Sequence, residues 1–472
     1  MLLQRFHDDA LAQTSYLLGC QASGLALVVD PNRDVQAYVA AAAKHRLRIV
    51  FVAESHIHAD FVSGARELAR ETGATLLLSG EAEGEWAYRV TAADNARLVH
   101  HGDEIEVGRI LLRVLHTPGH TPEHIAILVT DRTLSAHPVG MFSGDFIFAG
   151  DVGRPDLLER SANVRGSMDR LARTLFHSLQ RMAALPDYLQ LWPGHGAGSA
   201  CGKSLGSMPS TTLGYERLTN WALREHDEER FVHDVLTHQP EPPAYFALMK
   251  TINRDGPLPV SDDYWPQLGM DDVHDALHEG DSVVDVRPTA AFAREHIAGS
   301  LNIPLGTSFS TWAGSLLPYD RPIVLLADTA EQAHTARRLL SLIGHDEVAG
   351  WCDGSVRDAW REAGKALAQI PQVSIADISG ATERRIIDVR GAAEWDAGHI
   401  PGAERLFLGE LDTLASALPK DAPIAVHCQG GTRSAIAASL LARKGFTNVA
   451  NVRGGFDAWA AAGLPVERAQ DR

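Results

Sequence analysis

The sequence predicts a multidomain protein of the α/β and α+β classes, in which a region of mixed sheets precedes two smaller α/β domains. The chain has 472 residues, which allows about three domains of ordinary size. One segment is present twice in the C-terminal half, at an offset of 103 residues. In the N-terminal half, histidines follow the ends of several predicted strands. These three observations favour one metal-binding region and one duplicated unit.

The composition excludes several classes of protein. A net charge of -17 opposes binding to nucleic acid and to anionic membranes. No apolar run approaches the ~18 to 20 residues of a membrane span, and Arg5 and Asp8 interrupt any N-terminal leader. The four cysteines are too sparse for a disulfide scaffold. We therefore expect a cytoplasmic protein with free thiols.

The duplication defines the two C-terminal units. The sequence VVDVR at Val283–Arg287 reappears as IIDVR at Ile386–Arg390, and the apolar strand Ile323–Leu326 reappears as Ile424–His427. In each copy, short runs rich in valine and isoleucine alternate with helical segments. This alternation is typical of a parallel sheet covered by helices.

Two changes in composition mark the predicted domain boundaries. Proline is concentrated in Gln239–Pro259, and a shorter change occurs at Gln369–Val373, so both segments are predicted to be linkers. The predicted domains are residues 1–240, 260–366 and 373–472.

Metal-seeking side chains follow four predicted strands of the N-terminal region. Donors at alternate positions of an extended loop project to one side and can converge on one ion. A single HxH pair is weak evidence, but four such strand ends in order favour a metal site. The residues are His56, His58, Asp60, His120, Asp145 and His195.

This ordered pattern resembles the metallo-β-lactamase superfamily over about residues 1 to 235, which implies an αββα sandwich. The motif HxHxDH of that superfamily is altered here, because position 61 is phenylalanine. A phenyl ring has no lone pair for a second metal, so a single ion is favoured.

The region also resembles the iron-dependent persulfide dioxygenases of this superfamily. That resemblance implies one Fe(II) per chain, held by His56, His120 and Asp145, with open positions for dioxygen and a sulfur substrate. His58, Asp60 and His195 would then orient these ligands. Spacing alone leaves open whether His58 also binds the metal.

Two further N-terminal residues are candidates for the site. Arg154 lies in a segment that resembles the GRxD motif of these dioxygenases, which implies that it helps to hold the site or binds an anionic substrate. The alternative is a salt bridge with Asp156 that fixes a loop. Cys201 lies in the Gly-rich loop PGHGAGSACGK, where neighbouring Lys203 can lower the thiol pKa. This string resembles that of bacterial fusions of a persulfide dioxygenase with two rhodanese units. Cys201 is thus either a reactive thiol or a loop thiol without a direct role.

The last unit carries a sulfur-transfer motif. The strand Ile424–His427 ends in CQGGTRS and leads into a helix predicted over Ala435–Arg443. Glycines let the backbone amides turn inward, and the helix adds its positive end, so this loop can stabilise a thiolate at Cys428. Arg433 can hold a pair of sulfite or thiosulfate oxygens.

The same unit resembles the rhodanese sulfurtransferases over about residues 374 to 469. The resemblance rests on the CxGGxRS loop with Gly430 and Gly431, on DVR, Glu394 and HIPGA, and on GGFDAW at 454–459. It implies that Cys428 carries a persulfide and that the loop binds the substrate. A cysteine phosphatase with a short loop is the alternative.

The middle unit lacks this chemistry. At an offset of 101, Ala327 stands at the place of Cys428 and Gln332 at the place of Arg433, and no glycine lies between them. We expect an inactive rhodanese-like domain that serves as a spacer, docking surface or oligomer contact.

These features predict a bifunctional enzyme of sulfide and persulfide detoxification. It would oxidise a low-molecular-weight thiol persulfide with O2 to sulfite at one Fe(II), and transfer sulfane sulfur through Cys428 to give thiosulfate. A homo-oligomer is expected. Two alternatives stay open: a dinuclear zinc thioester hydrolase of the glyoxalase II kind fused to a sulfurtransferase, and a sulfur carrier without oxidase activity.

Overall fold

The computed structural model describes residues 1–157, 159, 166–199, 201–203, 205–237, 239–260, 265–380 and 383–468. Ala200 of the Gly-rich loop and residues 469–472 of the predicted last domain lie outside the described residues. The chain forms two compact units. The first comprises Met1–Val260 with Ser341–Gly344, and the second comprises Ser261–Leu340 with His345–Arg472. Within the described parts, no helix combines the length and the apolar character that a bilayer crossing requires.

Two six-stranded sheets form the centre of the first unit. The first sheet has the order β1-β2-β3-β4-β5-β6, and the second has the order β12-β11-β10-β9-β8-β7. Their strands are β1 (Leu2–Asp8), β2 (Gln13–Cys20), β3 (Leu25–Val29), β4 (Arg48–Ala53), β5 (Thr75–Ser79), β6 (Ala96–Val99), β7 (Glu104–Val107), β8 (Ile110–His116), β9 (Ile125–Asp131), β10 (Gly140–Gly144), β11 (Gln190–Pro193) and β12 (Thr211–Thr212).

The sheets pack face to face, and helices cover their outer faces. Leu27 of the first sheet and Leu112 of the second belong to one buried cluster between the sheets. The helix Ser167–Arg181 buries Leu171, Leu175 and Leu179, which share one helical face because they are four residues apart. The αββα sandwich is therefore confirmed. Its helices are Val35–Lys44, Ala65–Thr72, Ser167–Arg181, Leu213–Thr219, Trp221–Arg224, Glu228–Leu236 and Phe246–Asp255.

The proline-rich segment that was predicted to be a linker contains a helix of this first unit. Phe246–Asp255 is helical and buries Phe246, Met249 and Asn253. The first compact unit accordingly runs to Val260 rather than to residue 240. Proline before the helix misled the sequence interpretation, because proline is also tolerated where a helix begins.

Two parallel sheets form the second unit, as the duplication predicts. The middle domain has the order β15-β13-β16-β17 with a small β14-β18 pair, and the last domain has the order β19-β23-β22-β20-β21. The strands are β13 (Ser282–Asp285), β14 (His296–Ile297), β15 (Leu301–Asn302), β16 (Ile323–Leu326), β17 (Val348–Cys352), β18 (Leu367–Ala368), β19 (Gln372–Val373), β20 (Arg385–Asp388), β21 (Glu404–Arg405), β22 (Ile424–His427) and β23 (Val449–Val452).

Helices cover these two sheets, so the α/β class of both domains is confirmed. In the middle domain the helices are Met270–Glu279, Thr289–Arg294, Phe309–Leu316, Ala330–Ser341 and Ser355–Glu362. In the last domain they are Ala392–Ala397, Leu411–Leu414, Thr432–Arg443 and Gly455–Ala461.

Candidate metal centre and sulfur-transfer loop

The topology of the first unit brings the predicted strand ends together. The strand β9 runs antiparallel to both β8 and β10, and β10 runs parallel to β11. The C-terminal ends of β8, β10 and β11 therefore lie at one edge of the second sheet. Asp145 directly follows β10, and His195 follows β11 by one residue. Loops at such an edge can present polar groups on a rigid frame.

Three of the predicted metal ligands converge in this unit. The donor atoms of His56, His120 and Asp145 all lie within 4.8 Å of one another. Asp145 Oδ2 lies 3.5 Å from His120 Nε2 and 4.0 Å from His56 Nε2. All three side chains are buried.

The protonation of these side chains suits metal binding. His120 Nδ1 donates to the carbonyl of Arg154 at 2.9 Å, and His56 Nδ1 pairs with the Ser55 hydroxyl at 2.9 Å. Burial lowers the pKa of both imidazoles, so the rings are neutral, and the bond to the Arg154 carbonyl leaves the lone pair of His120 on Nε2. Asp145 Oδ2 is buried with no hydrogen-bond partner among the described residues. An orphaned carboxylate oxygen beside two neutral imidazoles fits a cation.

His195 lies between two carboxylates. Its Nδ1 contacts Asp145 Oδ1 and its Nε2 contacts Asp60 Oδ2, each at 2.7 Å. Burial disfavours the imidazolium, but Asp145 and Asp60 outweigh this cost and raise the pKa of His195 to about 10. Both ring nitrogens therefore donate. Because Oδ1 of Asp145 accepts from His195, only Oδ2 is available to bind a metal together with His56 and His120.

His58 belongs to a different cluster from His56. Its Nε2 lies 3.0 Å from Glu54 Oε2 and 3.3 Å from Asp30 Oδ1. The ring of Phe61 packs against it, with centroids 4.5 Å apart. Sequence spacing left the role of His58 open, and the structure turns its Nε2 toward these two carboxylates.

The structure shows Arg154 in the salt bridge that was the alternative to substrate binding. Its Nε and Nη2 each donate to Asp156 at 2.8 Å, and both side chains are fully buried. Two parallel hydrogen bonds fix the guanidinium firmly. Arg154 contacts the candidate metal site through its backbone carbonyl, which accepts from His120.

The pKa of the Cys201 thiol differs from the sequence expectation. Cys201 lies with Asp60 and His195 in a buried group whose donor atoms are within 4.8 Å of one another. Burial, followed by the charges of Asp60 and Asp145, raises its pKa well above the usual value, so the expected lowering is wrong. The ammonium of Lys203 instead lies over the Trp221 ring, 4.5 Å from its centroid.

Several positioning residues were missed by the sequence interpretation. His124 Nε2 accepts the Asp145 amide at 3.1 Å, and the Glu123 carboxylate accepts the Ile57 amide at 2.8 Å. Both lie in the segment HTPGHTPEH at 116–124, which also contains His120, so their closeness to a predicted ligand was a usable signal. Asn253 donates to the carbonyls of His58 and Phe61 at 2.8 and 2.7 Å. No local signal identified Asn253, because it lies in the segment predicted to be a linker.

The loop after β22 surrounds the Cys428 thiol with donors. The Gly431 amide donates to Cys428 Sγ at 3.1 Å, and the Ser434 hydroxyl donates to it at 3.5 Å. Gly431 has a φ of 111°, which a side chain would strain. The following helix begins at Thr432 rather than at the predicted Ala435. Gly430 is exposed and makes no such bond to the sulfur among the described contacts.

The GGFDAW segment forms backbone hydrogen bonds with this loop. The amides of Phe456 and Asp457 donate to the carbonyls of Cys428 and Gln429 at 2.8 and 3.0 Å. A Cβ at Gly455 would lie 2.3 Å from the Cys428 carbonyl oxygen, so only glycine fits there. The motif therefore supports the conformation of the cysteine loop.

Arg433 forms an ion pair within the protein, so its guanidinium is not available to a ligand without displacing a carboxylate. Its Nη1 and Nη2 donate to the two oxygens of Glu394 at 2.6 and 2.7 Å. The sequence predicted a guanidinium that holds sulfite or thiosulfate oxygens, and the structure shows that a carboxylate already occupies this position.

The middle domain has a shorter turn at the equivalent place, and this turn contains neither glycine nor arginine. Ala327 follows β16 and is buried, and the next helix begins at Ala330. Gln332 Oε1 accepts a hydrogen bond from the amide of Asp328 at 2.9 Å. This bond joins the first turn of the helix to the turn that precedes it.

Comparisons with known proteins agree with this architecture. The model of the metallo-beta-lactamase superfamily matches residues 8–195, and the model of the rhodanese-like domain matches residues 269–362 and 373–462. The crystal structure of a metallo-beta-lactamase from Staphylococcus aureus is 41% identical, with a TM-score of 0.67, covering 75% of this chain and 98% of that chain.

Two curated relatives match the first unit. Hydroxyacylglutathione hydrolase of Rhodospirillum rubrum is 30% identical over 38% of this chain, which spans only 60% of that relative. Human mitochondrial persulfide dioxygenase ETHE1 is 26% identical over 41% of this chain and 68% of that protein. The fold and the domain composition indicate an enzyme. The chain therefore belongs to the metallo-β-lactamase superfamily, and two rhodanese-like domains follow its metallo-β-lactamase domain.

Proposed function

We propose that this protein is a persulfide dioxygenase that depends on Fe(II) and a sulfurtransferase in one chain. In the first reaction, a thiol persulfide is oxidised: RSSH + O2 + H2O gives RSH + SO3²⁻ + 2 H⁺. In the second, sulfane sulfur passes through Cys428 to sulfite and leaves as thiosulfate. Both substrates are small molecules, and the thiol that carries the persulfide is of low molecular weight.

One observation carries the first activity. Two neutral imidazoles and one carboxylate oxygen converge at His56, His120 and Asp145. Phe61 has no donor atom, and the Nε2 of His58 faces Glu54 and Asp30. Two histidines and one carboxylate form the ligand set typical of non-haem Fe(II) oxygenases.

The residues around these ligands support the proposed role. When bound, Fe(II) would supply open positions for the sulfur anion and for dioxygen, which brings the two reactants together. His195 fixes Asp145 through Oδ1, and the Arg154 carbonyl fixes the tautomer of His120. Such partners hold ligands in orientation and raise their basicity.

Residues of the last domain support sulfur transfer. The Cys428 thiolate attacks the outer sulfur of RSSH, so a new S–S bond forms, the RS–SH bond breaks, and RS⁻ leaves with the electron pair. The enzyme persulfide then gives this sulfur to SO3²⁻, which forms S2O3²⁻ and returns the Cys428 thiolate. The Gly431 amide and the Ser434 hydroxyl stabilise the thiolate in both steps.

A second candidate function is a zinc thioester hydrolase joined to a sulfurtransferase. The hydroxyacylglutathione hydrolases among the curated relatives favour it, at an identity similar to that of the dioxygenase. The absence of a donor at Phe61 opposes a second metal of the kind that dinuclear hydrolases use. A carrier of sulfur without oxidase activity is the third candidate, and it leaves the His56, His120 and Asp145 set unexplained.

The decisive experiment is anaerobic purification followed by metal analysis and an oxygen assay with glutathione persulfide. We expect one iron per chain, oxygen uptake and sulfite formation. His56→Ala should lose the iron, whereas His58→Ala should retain it, since His58 faces Glu54 and Asp30. A protein that holds two zinc ions, cleaves thioesters and consumes no oxygen would refute the proposal.

A further inference from the structure

The ion pair between Arg433 and Glu394 lies beside the Cys428 loop. Both nitrogens of the guanidinium fork contact the carboxylate, at 2.6 and 2.7 Å. The side chains are 24% and 36% exposed, so solvent and small anions reach the pair. An ion pair this exposed contributes little to stability, so an incoming anion can displace the carboxylate.

Arg433 is electrostatically coupled to the thiol as well as to Glu394. The hydrogen bond to Glu394 raises the pKa of Arg433, and the charge of Cys428 adds to this effect. The next residue, Ser434, donates its hydroxyl to Cys428 Sγ at 3.5 Å, so Arg433 belongs to the loop around the sulfur and can attract an anion that reacts there. Sulfite and thiosulfate present paired oxygens that match the fork as a carboxylate does.

The duplicated middle domain provides an internal comparison. The helices Thr289–Arg294 and Ala392–Ala397 are equivalent at an offset of 103, which puts Ala291 at the place of Glu394. The middle domain thus lacks the counterparts of Glu394, Arg433 and Cys428 together.

Another charged pair is kept in both copies. Arg287 pairs with Asp285 at 2.6 Å, and Arg390 pairs with Asp388 at 2.7 Å. The inactive copy therefore retains this pair, although Arg390 of the last domain also donates to Gln429 of the cysteine loop at 2.8 Å. The loss of Glu394 along with the reactive cysteine associates it with the chemistry.

We infer that Glu394 determines which sulfur compounds react at Cys428, by competing with sulfite and thiosulfate for the Arg433 fork. The inference rests on the proposed sulfurtransferase function. An oxyanion must displace the carboxylate before it binds, whereas the sulfane sulfur of a thiol persulfide reaches Cys428 without using the fork. Glu394 therefore keeps the affinity for both oxyanions low, so thiosulfate is a weaker sulfur donor than a thiol persulfide.

The test compares two sulfur donors in the full chain. Glu394→Gln keeps the shape of the side chain and removes its charge. We expect kcat/KM for thiosulfate to rise about tenfold, equivalent to about 1.4 kcal/mol, with kcat/KM for glutathione persulfide unchanged. Mass spectrometry of the persulfide on Cys428 measures both reactions. Glu394→Asp retains the charge and should keep the ratio close to that of the wild type.

Asp396→Asn is the matched control, because Asp396 is an exposed acid on the same helix. It changes the net charge equally and should leave the ratio of the two donors unchanged. An unchanged ratio in Glu394→Gln, or an equal fall with both donors, would overturn the inference. A wild-type protein that takes sulfur from neither donor would instead refute the proposed sulfurtransferase function.

Discussion

The middle and last domains share several contacts that maintain the fold, and they differ at the loop that carries Cys428 in the last domain. In both, a strand ends at an aspartate, and a buried arginine two residues later pairs with that aspartate. The same arginine donates to a backbone carbonyl, that of Glu295 in the middle domain and that of Gly398 in the last domain. In both, a histidine stacks on an aromatic ring four residues before it, with centroids 3.8 and 3.7 Å apart. These contacts maintain the fold whether or not the domain is reactive.

One difference between the two domains lies in the turn between a strand and the following helix. After β22, Gly431 adopts a left-handed conformation and its amide contacts the Cys428 sulfur. After β16, the helix begins at Ala330, which corresponds to Gly431 at the offset of 101. Without a glycine at this position the turn leads directly into the helix, and the amide of Asp328 donates to Gln332 Oε1. The fold and the chemistry of a rhodanese-like domain therefore depend on separate sets of residues.

The largest expected effect tests the nucleophile. Cys428→Ser should reduce sulfur transfer by about 10³-fold or more, because the attacking thiolate is removed, and sulfite formation should persist. Product analysis with glutathione persulfide measures both. Cys352→Ala is the control in the middle domain, where burial raises the thiol pKa to about 12 and suppresses reactivity. The double variant Ala327→Cys with Cys428→Ser places the only cysteine of the two equivalent positions in the middle domain. Sulfur transfer by this variant would contradict the comparison, because a cysteine without the glycine loop would then suffice for the reaction.

A smaller effect tests the conformation of the loop. Gly431→Ala should reduce transfer about tenfold or more, because a hydrogen bond to a charged group contributes about 1.5 to 3 kcal/mol. Gly430→Ala is the control: its Cβ would meet Asp457 Oδ2 at 3.8 Å, an ordinary contact. Single-turnover rates of Cys428 persulfide formation would compare the two. Equal rates in both variants would show that the left-handed glycine is dispensable.

The smallest effect concerns acid stability. Burial lowers the pKa of His345 to about 4, and the equivalent residue of the last domain is Phe446. Because the folded pKa lies below the unfolded value of 6.5, stability is lost as the pH falls from about 6.5 to 4, by about 3 kcal/mol. His345→Phe should remove this loss in the middle domain.

The reciprocal change sharpens the same comparison. Phe446→His should introduce acid sensitivity into the last domain, because both positions are buried and both amides bond the carbonyl five residues back. Amide hydrogen exchange of β16 and β22 between pH 7 and pH 4 would report the two domains separately. Acid sensitivity that is the same before and after both substitutions would contradict this prediction.

Much of the fold was predictable because its signals are local. Alternating apolar runs defined β4, β8 and β22, and the repeated DVR segments defined the duplication. The helix Phe246–Asp255 was missed, since nearby prolines dominate the local pattern. Its Asn253 contacts His58 and Phe61 across more than 190 residues of sequence, and no local pattern encodes such a contact.

The sequence by itself determined which chemical groups are available: imidazoles and carboxylates after strand ends, a phenyl ring at position 61, and a cysteine in a glycine loop. Only the tertiary structure decided how they are used. It turned His58 toward Asp30, paired Arg433 with Glu394, and buried Cys201 beside acids that raise its pKa. The physical reason is that covalent spacing fixes where a side chain starts, whereas its orientation and charge depend on partners from distant segments.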